Sequence, residues 1–281
     1  MSYIITDDKH YKNIANAIRG KLSTDTQYHP EDMSIAINNI PSSVDGTDNP
    51  VVGIYFTNPD EDGYPTKAKI VGWRLDNKET AFPIVLTDLK FRRLQTIEFL
   101  DCEFKSLPGN AFLNCSSLTS INLPNTLTSI SNNAFQGCSS LTSINLPNTL
   151  TSINGYAFQD CLSLTSINLP NILMTMDVYA FRNCPNLTSI NLPNTLTSIN
   201  RGVFLNCPNL VDVTLANGFN CNNLDLSSST KFTRETIVSW LIALADRTGL
   251  TAYKLIMGAT NIAKLTEEDI AIATAKNWTL A

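Results

Sequence analysis

The chain has 281 residues, 43% of them hydrophobic, and a net charge of −5. That apolar content is enough for a continuous core and too high for a disordered protein. The acidic balance argues against a nucleic-acid binder, which normally shows a basic face, and no run reaches the roughly 18 apolar residues that span a bilayer.

Residues 1–45 come first. Tyr11, Ile14, Ala15 and Ile18 fall on one helical face, stopped at Gly20. Pro30 opens a second helix at its favoured first position, with Met33, Ile35, Ala36 and Ile40 beyond. A Pro/Ser/Gly/Asp-rich linker follows from Pro41 to Pro50. A helical hairpin this short cannot build a sizeable core, so it is expected to dock through Tyr11, Ile14 and Ile18 on a sister subunit or a larger assembly. The first twenty residues hold Asp7, Asp8, Lys9 and Lys12 without the apolar run of a secretory signal. Synthesis in the cytoplasm is the expectation.

Residues 46–93 read as a β-rich N-terminal cap, with alternation over Val51–Phe56, Lys67–Trp73 and Phe82–Leu86. The string NPDEDGYP between the first two is a turn. Its Asp60, Glu61 and Asp62 lack the alternating ligands and distant bidentate Glu of a calcium loop, and read as solvated.

From residue 94 to 217 the chain repeats itself. LTSINLPNTLTSI starts at Leu118 and Leu141, the variant LTSINLPNILMTM at Leu164, and the original again at Leu187. Looser copies begin at Leu94 and Leu210. The period of 23 lies in the leucine-rich-repeat range of about 20–29 residues. Within a coil, Ile121-Asn122-Leu123 alternates as a strand and Pro124-Asn125 turns the chain. Leu127, Ile130, Ala134, Phe135 and Cys138 then return inward. No coil buries these residues alone, so coils must stack. Phe112, Phe135, Phe158, Phe181 and Phe204 are predicted to form one column, and Cys115, Cys138, Cys161, Cys184 and Cys207 a second.

Residues 218–281 are expected to form an α/β C-terminal cap. Thr233 N-caps a helix with Ile237, Trp240, Leu241 and Leu244 on one face, ending near Gly249. A second helix begins after Thr266, with Asp269 as a capping-box variant. Asn277-Trp278-Thr279-Leu280 reads as a closing strand.

The pattern L-x-x-I-x-L-P-x-x-L-x-x-I-x-x-x-A-F-x-x-C resembles the BspA-type leucine-rich repeat of bacterial surface proteins and some phages. It departs from the commoner leucine-rich pattern at Thr126, where Asn or Cys is usual, and Cys138 takes a related inward role. The string YKNIANAIRGKLSTDTQYHPEDMSIAINNI resembles a helical module of tail-associated proteins from phages of Gram-positive bacteria. DGYPTKAKI and NIAKLTEEDIAIATAKNWTL are similar to phage-encoded relatives of this repeat family. The resemblance implies an α+β repeat fold: a leucine-rich-repeat solenoid with an N-terminal helical hairpin, a β cap and a C-terminal helical cap. It further implies a virion component made in the host cytoplasm. The hairpin would hold other virion proteins, and the solenoid would recognise a host-surface protein or glycan. A bacterial surface adhesin and a spacer or decoration protein without a ligand are the alternatives, and homo-oligomers fit each.

Enzymatic chemistry is not expected. The only histidines, His10 and His29, lie in the hairpin, so the repeats offer no Ser-His or Cys-His relay. No close cysteine pair of the C-x-x-C kind exists for a metal, and seven is an odd number for full disulfide pairing. Buried free thiols are the expectation, with no cofactor. LPNT at Leu123, Leu146 and Leu192 mimics a sortase signal, but Leu follows it and no apolar tail does.

From Ser106 to Asn200 only Asp160, Asp177 and Arg182 are charged. The ladder of Thr119, Ser120 and Asn122 with its copies reads either as a solvated strand face or as a repetitive partner for glycan hydroxyls. The coils vary just before Ala-Phe and just before Cys. Tyr156, Tyr179, Arg182 and Arg201 stand there, residue types favoured as interface anchors. Drift on a tolerant surface explains the same variation.

Overall fold

A computed structural model describes residues 53–59, 65–71, 92–100 and 102–281. The hairpin expected over residues 1–45, with Tyr11, Ile14 and Ile18, and the strand expected at Phe82–Leu86 lie outside the described residues.

Strands β1 (Gly53–Pro59) and β2 (Pro65–Val71) form an antiparallel hairpin, and β2 runs parallel to β3 (Thr96–Leu100). That pairing joins the hairpin to the first coil, because β3 also pairs with β5 (Ser120–Ile121) one coil on. Along the LTSINL side the parallel ladder resumes as β8 (Ser166–Ile167), β10 (Ser189–Leu192) and β12 (Asp212–Leu215).

A second parallel sheet was not expected from the sequence. It joins β4 (Ser106–Leu107), β6 (Ser129–Ile130), β7 (Ser152–Ile153), β9 (Thr175–Met176) and β11 (Ser198–Ile199). Each strand has only two residues, too few for the period-2 alternation that marks a strand in sequence.

Each coil thus has two strand sides and a turn edge that carries Ala-Phe and ends at Cys. On the strand sides a later coil donates backward, as in Thr128 N–H to the Lys105 carbonyl (2.8 Å). On the turn edge an earlier coil donates forward, as in Phe135 N–H to the Ala157 carbonyl (2.8 Å). The backbone groups of a short-stranded coil are therefore satisfied by its neighbours, which ties every coil's geometry to the next.

The core is the set of stacked columns. Phe112, Phe135, Phe158 and Phe181 are fully buried, with successive ring centroids 5.2 Å apart. The cysteine column is also buried and forms no disulfide. Each of four thiols donates to a phenylalanine carbonyl of the preceding coil: Cys138 to Phe112 (3.3 Å), Cys161 to Phe135 (3.3 Å), Cys184 to Phe158 (3.2 Å) and Cys207 to Phe181 (3.1 Å). The Thr126 slot is polar too: Thr149 Oγ1 sits 2.8 Å and 2.7 Å from the Asn125 and Leu127 carbonyls. In the next coil Ile172 fills this slot without a hydroxyl and stays exposed.

Beyond β12 lie β13 (Leu224–Asp225), α1 (Arg234–Ala243), β14 (Tyr253–Ile256), the single turn α2 (Ala259–Ile262), α3 (Glu267–Ala275) and β15 (Trp278–Leu280). Thr233 caps α1, and Thr266 with Asp269 forms a capping box on α3. Helix α1 ends at Ala243, earlier than Gly249. There Leu244 turns extended and bridges to Phe219, and the Ala243 carbonyl accepts from Gly218 N–H at 2.8 Å. Its buried Ile237, Trp240 and Leu241 face the array, and Trp240 Nε1–H donates to the Val213 carbonyl of β12 at 2.6 Å. Lys276 Nζ donates to the carbonyls of Leu241 (3.2 Å) and Leu244 (2.9 Å) at the C-terminal end of α1, where the helix dipole favours a cation. Strands β13, β14 and β15 form a small parallel sheet that encloses Trp278.

Candidate binding edge

The turn edge is built on a backbone requirement. The residue before Ala-Phe is left-handed in successive coils: Asn110 (φ 62°), Asn133 (59°), Tyr156 (60°), Tyr179 (57°) and Gly202 (66°). So is the residue before Cys: Asn114 (60°), Gly137 (73°), Asp160 (59°), Asn183 (56°) and Asn206 (61°). Asn, Asp and Gly adopt this region at low cost, whereas other L-residues lose about 1–2 kcal/mol there. Eight of these ten positions hold one of the three permissive residues, so backbone need explains the residue choice at these two positions of each coil.

The two exceptions are Tyr156 and Tyr179. Both are half-buried, with ring centroids 5.4 Å apart and planes tilted by 40°. Their amides remain in the inter-coil ladder, Tyr156 N–H to the Val178 carbonyl (3.0 Å) and Tyr179 N–H to the Arg201 carbonyl (3.2 Å). Gly202 makes room for the second ring, since a Cβ there would lie 2.5 Å from Tyr179 Cε1. Arg182 places its guanidinium carbon 5.3 Å from the Tyr179 ring centroid, within reach of a cation–π contact.

Beside the rings lies a planar polar group set. Asp160 accepts from Gln159 Nε2 (2.9 Å) and from Asn183 Nδ2 one coil on (2.7 Å). Gln159 Oε1 is buried and accepts no hydrogen bond from a described residue. Asp177 is held by Asn200 Nδ2 (2.6 Å) and caps the Val178 N–H (2.7 Å). All three charges of the segment from Ser106 to Asn200 therefore stand on this edge.

Of the four residues singled out in sequence, the structure brings Tyr156, Tyr179 and Arg182 together. Arg201 meets Tyr179 through its backbone carbonyl, and its side chain is exposed. Gly202, Gln159, Asp160 and Asn183 complete the cluster. The signal for Gly202, Asp160 and Asn183 was the recurrence of Asn, Asp and Gly at the left-handed slots.

The strand side is more committed. Thr119, Thr165 and Thr188 hydroxyls donate to carbonyls one coil back, at 2.9, 3.3 and 3.1 Å. Asn122 both donates to and accepts from the Phe99 backbone, at 3.0 and 2.7 Å.

Burial disfavours the thiolate along the upper part of the cysteine column, whereas the hydrogen bond with Cys184 lowers Cys207. Burial pushes Cys115 up to about 12 and also raises Cys138 and Cys161. A thiol, unlike a thiolate, is a poor nucleophile and metal ligand. Among the described residues no three His, Cys, Asp or Glu side chains group as a metal site, and no helix is long and apolar enough to cross a membrane.

Residues 105–230 match, in six copies, the family model described as BspA type leucine rich repeat region. No curated protein matches the chain. Among solved structures, a leucine-rich repeat protein of T. pallidum is 24% identical, with a TM-score of 0.49 over 64% of this chain and 89% of that one. A leucine-rich repeat protein of Bacteroides ovatus is 22% identical, with a TM-score of 0.39 over 74% of this chain and 58% of that one. The pneumococcal vaccine antigen PcpA is 19% identical, with a TM-score of 0.40 over 66% of this chain and 40% of that one. The stacked coils of residues 105–230 are similar to leucine-rich repeat regions of BspA type.

Proposed function

We propose that the chain is a non-enzymatic recognition protein whose turn edge, centred on Tyr156, Tyr179 and Arg182, contacts a macromolecule on a bacterial surface. One observation carries this reading. Two bulky aromatic residues occupy left-handed backbone slots that neighbouring coils fill with Asn or Gly, and they leave their rings half-exposed side by side. Backbone strain retained at a surface position, with no gain to the core, is characteristic of binding sites. Tyrosine and arginine supply large contact area at low ordering cost, and a stacked-coil scaffold preorganises them.

The wider setting rests on the resemblance of residues 1–45 to tail-associated modules of phages of Gram-positive bacteria. The protein is then a virion component, held on the particle by its N-terminal segment, and many copies per particle add avidity to a weak single contact. The test compares the full chain with residues 46–281 for binding to disrupted virions and to Gram-positive wall fragments. Both forms are expected to bind walls, and only the full chain virions. Wall binding without virion binding replaces the virion component with a bacterial surface adhesin. No binding to walls leaves a spacer without a ligand.

A further inference from the structure

We infer that the array is articulated at its third coil: the LTSINL side opens between residues 118–123 and 141–146, while the second sheet and the turn edge stay joined. This goes beyond the recognition reading and does not depend on it.

The string LTSINL at residues 141–146 is identical to the copies at Leu118 and Leu187, yet it forms no strand between β5 and β8. The missing bonds show why. One coil earlier, Thr119 and Ser120 N–H both donate to the Gln95 carbonyl (2.8 and 3.1 Å), and Asn122 N–H to the Ile97 carbonyl (3.3 Å). The equivalent amides of Thr142, Ser143 and Asn145 donate to no described residue. Their side chains repeat the omission. The Thr119, Thr165 and Thr188 hydroxyls each reach one coil back, and Asn122 clasps the Phe99 backbone. Thr142 Oγ1 and the Asn145 side chain bond no described residue. Toward the fourth coil, of residues 141–146 only the Thr142 carbonyl is engaged, by the Thr165 N–H (3.1 Å) and hydroxyl (3.3 Å).

The other two sides cross the same coils intact. On the second sheet, Thr151 N–H donates to the Thr128 carbonyl (2.8 Å) and Asn154 N–H to the Ile130 carbonyl (2.9 Å). On the turn edge, Phe135 N–H and Gly137 N–H donate to the Ala157 and Gln159 carbonyls, each at 2.8 Å. The Phe135 and Phe158 rings between them stay 5.2 Å apart and nearly parallel. A coil held on two sides and loose on the third bends in one direction, away from the loose side.

Burial shows the same asymmetry. Ile144 and Leu146, beneath the seam, are each 6% exposed, whereas Leu150 and Ile153 of the same coil are at 0% under the second sheet. The seam is tied at its ends by Ser140 N–H to the Ser116 carbonyl (3.1 Å) and by Thr149 Oγ1 to the Asn125 and Leu127 carbonyls. Opening breaks these corner bonds and no ladder, and exposed amides already solvated by water lose little by it. The block β1–β2–β3–β5 lies before the seam and β8–β10–β12 after it. Tyr156, Tyr179 and Arg182 follow the seam in the chain, so bending re-aims the turn edge against the N-terminal block without repacking the phenylalanine column.

Two measurements on the full chain test this. Amide hydrogen exchange should find Thr142, Ser143 and Asn145 exchanging at least about tenfold faster than Thr119, Ser120 and Asn122. Spin-label pairs at Ser120→Cys/Asp212→Cys on the strand side and Ser106→Cys/Ser198→Cys on the second sheet each span four coils, in a background whose own thiols are buried. The strand-side distance distribution should be at least about twice as broad as the other. Equal protection of the two sets of amides would mean that the ladder is complete at the third coil. Fast exchange with equal widths would make the seam a static gap. Either result overturns the articulation, and neither bears on recognition by the turn edge.

Discussion

Gly202→Ala probes the contact on which the binding edge depends. Gly202 has φ 66°, and a Cβ built there lies 2.5 Å from Cε1 and 2.7 Å from Cδ1 of Tyr179. Two costs follow. An alanine in the left-handed region loses about 1–2 kcal/mol. Displacing a packed ring costs about 1–3 kcal/mol more, so the single variant should lose about 2–5 kcal/mol in all. In a Tyr179→Asn background the second cost disappears, since no ring stands in the way. The two substitutions should then couple by about 1–3 kcal/mol, inside the range measured for residues in contact. Urea unfolding followed by circular dichroism on all four proteins of the cycle gives the coupling from the midpoints and slopes. A coupling below about 0.5 kcal/mol, the scatter of independent sites, would mean that the Tyr179 ring does not stack over Gly202. The edge would then lack the order described.

Other outcomes follow from the same structure. Phe158→Ala removes a fully buried ring stacked at 5.2 Å on both Phe135 and Phe181; urea unfolding should show a loss of about 3–5 kcal/mol, and a loss under about 1 kcal/mol would contradict the column. The cysteines of the stack, with burial holding Cys115 near 12, should resist iodoacetamide at neutral pH in the folded protein and react fully in denaturant, as mass spectrometry would count; rapid native labelling would refute the packing. The Thr266 N–H and the Arg234 guanidinium hold Asp269 below the ordinary carboxylate range. A depressed folded value stabilises above the unfolded pKa of about 3.9 and is lost as pH falls through the folded value. Wild type should therefore lose stability more steeply than Asp269→Asn below about pH 4, and parallel acid titrations would deny the pair that role.

Much of the fold was legible because a 23-residue period forces it. Once Leu118, Ile121, Leu127, Phe135 and Cys138 recur in register, stacking is the way to bury them, and the phenylalanine and cysteine columns follow. The second parallel sheet was not legible, since Ser129–Ile130 and its copies are two residues long and draw their hydrogen bonds from other coils. Strands β13 and β14 escaped for a similar reason: Leu224–Asp225 and Tyr253–Ile256 become strands by pairing with each other and with Trp278–Leu280, a tertiary event. The end of α1 was misplaced because Phe219, far away in sequence, captures Leu244.

The binding edge was half legible. Tyr156, Tyr179 and Arg182 stand out by residue type, but what constrains the two tyrosine slots is φ. Asn110, Asn133 and Gly202 in one column, and Asn114, Gly137 and Asp160 in the other, spell a left-handed position once aligned. With that pattern in hand, the tyrosines become the anomaly and Arg201 does not. No sequence rule indicates that Gln159 Oε1 is buried without a partner, because that depends on Asp160 and Asn183 meeting across coils.

The most direct test of the account is the equilibrium affinity of the full chain for Gram-positive wall fragments, measured for wild type, Tyr156→Asn/Tyr179→Asn and Thr142→Asn on the strand side. The account predicts a loss of about tenfold or more for the tyrosine variant, equivalent to about 1.4 kcal/mol, and an unchanged value for the strand-side variant. Equal affinity of wild type and the tyrosine variant, or a loss confined to Thr142→Asn, would move recognition off the turn edge and contradict the central claim.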